Sequence, residues 1–440
     1  MTGNSSFNRK RMFITGKKLI KSKSFGGMLL FFSAIIAMYL ANSSFSHYYF
    51  NLLNSPFMFG FSDHFLSMDA KTWVNDGLMT LFFILAGLEI KREVTIGELS
   101  SLRLAAFPII GAIGGMIMPA VIYLIINFNG HHEGFGIPMA TDIAFALAIL
   151  LLLGNKIPIT LKLFLITLAV ADDIGAVLVI AIFYTSSFNI IGVILSILII
   201  SLLVYINRKG VKSLLPYMVL GFLLWNSFYL IGIHASISGI VLALTIPIAA
   251  SISTHAFLRR LKLRLNYFEH LEQTRAEKLL TEKQVGVLDI MGNSYDAVQS
   301  PLVRLEHNLI PISSFLVLPI FAFFNAGVSI STVSMSLLHP VSLGILLGLV
   351  VGKPLGIFLS VYLADKYGLA KKPNTISWTD IFGASLLGGV GFTMSIFIGD
   401  IAFTDAALID LAKISIIIGS TLSGILGGMW LFKTKIKNNG

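Results

Sequence analysis

The sequence predicts an all-α polytopic membrane protein of about twelve transmembrane helices, and three observations carry that prediction. Of 440 residues, 55% are hydrophobic and only 12% charged, with a mean hydropathy of +0.85; soluble domains average about 25% charged residues. Apolar runs near the ~20 residues that a helix needs to cross a bilayer recur along the chain. The basic residues also segregate. If both termini lie in the cytoplasm, 29 of the 32 Lys and Arg fall on that side or at its span ends, as the positive-inside rule demands and as an odd span count would scramble. With no cysteine in the chain, disulfides and thiolate metal or redox sites are excluded. The net charge of +10 does not point to nucleic acid, because the basic residues form no groove-reading motif.

Residues 1–24 form a basic cytoplasmic segment (Arg9, Lys10, Arg11, Lys17, Lys18, Lys21, Lys23) that runs into a first span at 25–41. A cleaved signal peptide fits less well, since Tyr39 stands where a small residue belongs. The external segment 42–72 is rich in Phe, Tyr, Ser and Asn and reads as an interfacial loop with an aromatic belt. Further spans are expected at 74–90, 104–126, 137–153, 160–184, 190–206, 214–231 and 233–251, so that 25–251 holds spans one to eight. A long cytoplasmic loop, 252–311, carries mixed-charge helical patterning around Phe268–Lys278 and reads as a solvated connector helix. Spans at 312–330, 338–363, 380–400 and 408–432 and a cytoplasmic tail, 433–440, complete the chain.

Asp172 and Asp173 lie side by side inside the span at 160–184. A carboxylate at mid-membrane costs about 2.5–3.5 kcal/mol even on the lenient insertion scale, so adjacent ones imply a bound cation or proton. Asp142 lies within the span at 137–153, just after Gly136 and Pro138, which weaken helical continuity. The span at 380–400 contains Gly388, Gly389 and Gly391, which suit either a helix break or close packing. Spans three to five and ten to twelve form two triplets whose middle members are the weak ones. Repeats of an odd number of spans lie in opposite orientations, and discontinuous helices at matching positions point to a transporter's binding site. Lys353 lies near the centre of the span at 338–363, too deep for easy snorkelling, and either loses its proton or finds an anion, for which Asp142, Asp172 and Asp173 are the carboxylates at comparable depth.

The ordered set Ala140-Thr141-Asp142-Ile-Ala-Phe-Ala, Ala171-Asp172-Asp173-Ile-Gly-Ala, Gly352-Lys353-Pro354-Leu-Gly and Gly391-Phe392-Thr393-Met394-Ser395-Ile396-Phe397-Ile398 resembles the NhaA-type sodium/proton antiporters. So do Asn75-Asp76-Gly-Leu-Met, Gly87-Leu-Glu89-Ile-Lys-Arg92-Glu93, Leu102-Arg103-Leu-Ala-Ala-Phe-Pro108, Gly232-Ile-His234-Ala and Pro319-Ile-Phe-Ala-Phe-Phe-Asn325. The matches run in order from about residue 25 to 432. The resemblance implies an inverted-topology repeat with two discontinuous helices crossing near the midplane. Asp142 would offset the facing half-helix N-termini and Lys353 the C-terminal ends. Asp173 would be the principal cation and proton ligand and Asp172 its partner, with Lys353 salt-bridged to Asp172. Thr141 is a further candidate ligand, since Na+ and Li+ are hard cations that favour oxygen.

Competition between cation and protons at that pair gives obligatory exchange, because the empty, doubly charged site is expensive to move across the barrier. The resemblance implies electrogenic Na+(Li+)/H+ antiport in a bacterial inner membrane, by a secondary transporter rather than an enzyme and with no resident cofactor. A passive cation channel, or a transporter of another solute on the same fold, is the alternative. An intramembrane aspartyl protease fits poorly, because Phe397-Ile398-Gly399-Asp400 lacks the first glycine of the Gly-x-Gly-Asp signature. Glu89, Arg92 and Glu93 at the cytoplasmic end of span two, with Glu306 and His307 at the opening of span nine, are candidates for pH sensing. The long 252–311 loop and Ile310, one turn past His307, depart from the family's pattern there. The expected partners are Na+, Li+, H+ and the lipid bilayer, with no nucleic acid; the resemblance also implies a homodimer through residues 42–72. His234 reads as a packed, hydrogen-bonded histidine.

Overall fold

The computed structural model describes residues 23–61, 64–153, 157–184, 189–271, 280–329 and 337–437. Residues 1–22, including six of the N-terminal basic residues, and Lys156 lie outside these. Among the described residues, the helices long and apolar enough to cross a bilayer are Ala70–Ile96, Ala105–Ile126, His132–Leu152, Ile159–Phe183, Ile190–Arg208, Pro301–Asn325, Pro340–Lys366 and Ala406–Thr434. Leu215–Ile231 and Ala235–Thr245 are shorter apolar helices, and two bent pairs, Phe25–Ala41 with Ser46–Leu53 and Trp378–Gly388 with Phe392–Ala402, complete the set. A helical apolar segment thus stands at every predicted span, and the protein is a polytopic membrane protein whose membrane segments are helical. The polarity is inverted relative to a soluble protein. Helix Ile190–Arg208 exposes Ile190, Ile191, Ile194, Ile197 and Leu198, while its Ser196 is buried and shares a 2.9 Å hydrogen bond with Ser227.

Three boundaries differ from expectation. The 42–72 segment is not a loop: after the first helix the chain turns by 116° into Ser46–Leu53, then forms an antiparallel pair of strands, Pro56–Phe61 and His64–Asp69. Tyr48, Tyr49 and Phe50 lie in the short helix and Phe57, Phe59 and Phe61 in the first strand, where aromatic residues are favoured, and Trp73 Nε1 donates to Phe57 O at 3.2 Å to anchor the hairpin. Span nine begins at Pro301 rather than 312, because Ser300 caps it, its Oγ accepting from Val303 N at 3.2 Å. Glu306 and His307 therefore lie inside a helix. In the 252–311 segment the helices are Thr254–His270 and Glu282–Val298; most of the predicted Phe268–Lys278 pattern, 272–279, lies outside the described residues.

The breaks that position the site have local causes. Pro138 ends the 3-10 segment His132–Met139, Ala140 and Asp142 are extended, and the helix resumes at Ile143. The second break falls at Gly389–Gly391 between Trp378–Gly388 and Phe392–Ala402, with a 42° bend. The two breaks cross, and Asp142 N donates to Val390 O at 2.7 Å. Gly389 lets the second break pack against the neighbouring spans, since a Cβ there would collide with the Leu349 carbonyl and the Ser423 hydroxyl. Beside the crossing, a π-helical turn at Gly348–Gly352 precedes Pro354, and another at Ser313–Val317 precedes Pro319. Each proline lacks the N–H that the carbonyl four residues earlier needs, so the turn widens. Gly356 then lets helix Lys353–Lys366 press on helix Leu102–Ile126 at Gly114, which fixes where Lys353 can reach.

Candidate functional site

Asp172 and Asp173 are both buried on helix Ile159–Phe183. Adjacent helical residues point about 100° apart, and their surroundings differ accordingly. Asp172 Oδ2 meets Lys353 Nζ at 2.5 Å and Thr141 Oγ1 at 2.5 Å. Both side chains of the ion pair are fully buried. In such a place the pair holds because each charge neutralises the other; removing one partner would strand a buried ion. Lys353 Nζ also donates to Met139 O, the last carbonyl of the first half-helix. Thr141 Oγ1 lies 3.1 Å from Gly388 O as well, the final residue before the second break. Its single proton serves one acceptor at a time.

Asp173 lines a cavity of about 110 Å³ with Glu89, Thr141, Asp142, Ile310, Ser313 and Thr393. Its Oδ1 is buried and has no hydrogen-bond partner among the described residues, and the same holds for Asp172 Oδ1. A larger groove of about 690 Å³ runs beside Phe57, Trp73, Trp225 and Phe324. Its lining contains no titratable group, so it offers nothing a cation and a proton could compete for.

Asp142 caps both resumed helices at once. Its Oδ1 accepts from Phe145 N at 3.0 Å; its Oδ2 accepts from Thr393 N at 3.1 Å and Thr393 Oγ1 at 2.6 Å. Two half-helix N-termini, each carrying roughly half a positive charge, converge on one carboxylate. Lys353 stands at the opposite ends, against the Met139 carbonyl. Thr141, Asp142, Asp172, Asp173 and Lys353 are thus assembled in one place.

The pH-sensing candidates are only partly gathered. Arg92 bridges Glu306 and Glu93, each at 3.0 Å, and Glu93 Oε2 accepts from Glu98 N at 3.1 Å. Glu89 reaches the aspartate cavity, whereas His307 is exposed. His234 lies 3.8 Å from Asp76, and Asn75 and Asn325 exchange hydrogen bonds at 3.2 and 2.7 Å. Those pairs join motifs that the sequence showed only as separate strings.

Sequence reasoning missed two sets of polar residues. Ser420 Oγ accepts from Gly391 N and Phe392 N at 3.2 and 3.0 Å, capping the second half-helix from the last span. Asp400 is held by Lys413 at 2.9 Å and Lys71 at 3.2 Å. A serine amid apolar residues gives no sign of its target. Lys71 and Lys413 are two of the three basic residues outside the cytoplasmic count, which gives no sign of their shared partner.

The sequence pattern of the Na+/H+ antiporter 1 family matches residues 17–431. A Na(+)/H(+) antiporter NhaA from Wolinella succinogenes is 48% identical over 409 residues, 93% of this chain and 90% of the relative. Proteins of the same name from Helicobacter acinonychis and Helicobacter pylori strain HPAG1 are each 47% identical, over 95% of both chains. Matched along almost its whole length, the chain belongs to the Na+/H+ antiporter 1 family.

Proposed function

We propose that this protein is an electrogenic Na+(Li+)/H+ antiporter of the bacterial inner membrane, exchanging cytoplasmic sodium for external protons. The observation that carries this reading is Asp173, buried in a cavity with a carboxylate oxygen that no described residue satisfies, beside an Asp172 already paired with Lys353. The names of the relatives point to Na+ and H+. Asp173 is the principal ligand, Asp172 its partner, and the Thr141 hydroxyl a further oxygen donor. A cation entering the cavity takes the oxygens that protons otherwise neutralise, so the site is loaded or protonated but costly to leave bare. Asp142 and Lys353 balance the ends of the broken helices, which keeps the crossing free of uncompensated charge. If both aspartates, or one aspartate and Lys353, release protons for each Na+, the exchange moves net charge.

The distribution of Lys and Arg supports cytoplasmic termini, and under that topology the cavity, bordered by Gly26 and Glu89, lies on the cytoplasmic side of the crossing. The Arg92–Glu306 bridge and Glu93, near that mouth, set the pH response. Residues 42–72, with exposed Phe45, Tyr48 and Phe57, form the dimer contact. The test is proton movement in inside-out vesicles given NaCl from about pH 6.5 to 8.5, with wild type beside Asp173→Asn. Collapse of the pH gradient in wild type alone is the expected result. Equal collapse in both would remove the site assignment. Sodium flux without proton movement would instead indicate a channel.

A further inference from the structure

We propose that helix Thr254–His270 is a docking surface for the anionic lipid bilayer, lying along the membrane surface next to the span that precedes it. The helix begins only a few residues beyond Thr245, where the membrane helix Ala235–Thr245 ends. None of its residues is buried. Leu258, Leu261, Leu265 and Phe268 follow the three-and-four spacing of one helical stripe, with Leu263 and Tyr267 exposed on the opposite face. Phe257, Leu261 and Phe268 are half-buried, while Leu258 and Leu265 are 49% and 53% exposed. An exposed leucine pair within a stripe is costly in water and ordinary at a lipid interface.

The charges identify the surface. By helical rotation, Arg260 and Arg264 flank the stripe on one side and Lys262 on the other, and Arg259 lies behind; each is exposed. The helix has no acidic residue before Glu269. Long basic side chains flanking an apolar stripe bury their stems beside it and hold their charged ends at headgroup level. Anionic headgroups attract such a cluster, and the attraction falls off within a Debye length, so the helix must lie at the surface to use it. Its partner helix, Glu282–Val298, returns to the same base, where Ser251 N and Ile252 N donate to Ala297 O at 2.9 and 3.1 Å. That anchor holds the start of the basic helix beside the membrane. A soluble acidic protein would satisfy the charges, but it would not account for a leucine stripe beginning next to a span.

The test uses the full-length protein, whose natural lack of cysteine allows Leu265→Cys to carry a single polarity-sensitive fluorophore. The labelled protein is placed in nanodiscs of phosphatidylcholine with or without phosphatidylglycerol. Nanodiscs present both faces, so the result does not depend on which side is cytoplasmic. The expected result is a blue shift and quenching by spin-labelled lipid in phosphatidylglycerol discs. Both should be reduced by raised KCl and lost when Arg260→Gln, Lys262→Gln and Arg264→Gln are combined. Emission that stays water-like in both lipids overturns the proposal. So does a blue shift of equal size in both lipids that survives the charge removal, which would place a second copy or another protein on the stripe. Sodium-driven proton movement in sealed proteoliposomes of the same lipids reports separately on the transport reading.

Discussion

Thr141→Val is the substitution that best separates a working hydroxyl from a space-filling one. Valine keeps the volume and the branching at Cβ but removes the hydroxyl that lies 2.5 Å from Asp172 Oδ2. A hydrogen bond to an ionised group contributes about 1.5–3 kcal/mol and one between neutral groups about 0.5–1.5 kcal/mol. The cation-loaded site holds Asp172 ionised, whereas a protonated Asp172 turns the bond around and donates to Thr141, whose own proton then goes to Gly388 O. Losing the hydroxyl therefore costs the loaded form about 1–1.5 kcal/mol more than the protonated form. At 1.4 kcal/mol per decade, half-saturating Na+ should rise about 5- to 12-fold. The protonated form also gains relative to the ionised one, so activity at fixed Na+ should need a more alkaline pH. Thr141→Ser keeps the hydroxyl and should stay within about twofold of wild type. The assay is half-maximal collapse of the pH gradient in inside-out vesicles, normalised to protein in the membrane. A Thr141→Val protein with wild-type half-saturation and pH profile would refute this account, as would a serine variant as poor as valine.

Two further outcomes follow from the charge clusters. Asp400→Asn leaves Lys413, nearly fully buried, without its carboxylate; breaking a buried pair costs about 3–5 kcal/mol, so the detergent-solubilised protein should melt markedly earlier. Adding Lys413→Met should restore part of the loss, and unchanged melting in the single variant would show that Lys71 and Lys413 are solvated without Asp400. Arg92→Gln removes the cation that bridges Glu306 and Glu93. The vesicle assay should then show a displaced pH profile with maximal rate retained, and an unmoved profile would remove the bridge from pH control.

What the sequence showed, and what it hid, divides along one physical line. Asp172, Asp173 and Lys353 stood out because a charge in an apolar run is expensive wherever the rest of the chain lies. The breaks stood out because proline and glycine act on their own backbone. Ser420, Thr393 and the Lys71–Asp400 pair did not, since each acquires meaning only from a neighbour; Lys71 and Asp400 are 329 positions apart. The hairpin at 56–69 was hidden for a related reason, because hydropathy reports burial and is silent on backbone form. Even so, the hidden residues explain why the visible ones work. Asp142 N reaches Val390 O where Gly391 leaves room beside the Ala140 carbonyl, and Ser420 satisfies the two N–H groups that this geometry exposes. If that cap failed, the second half-helix would present extra positive charge beside Asp142 and only one side chain to absorb it. The dipole balance at the crossing therefore draws on the last span as well as on the broken ones.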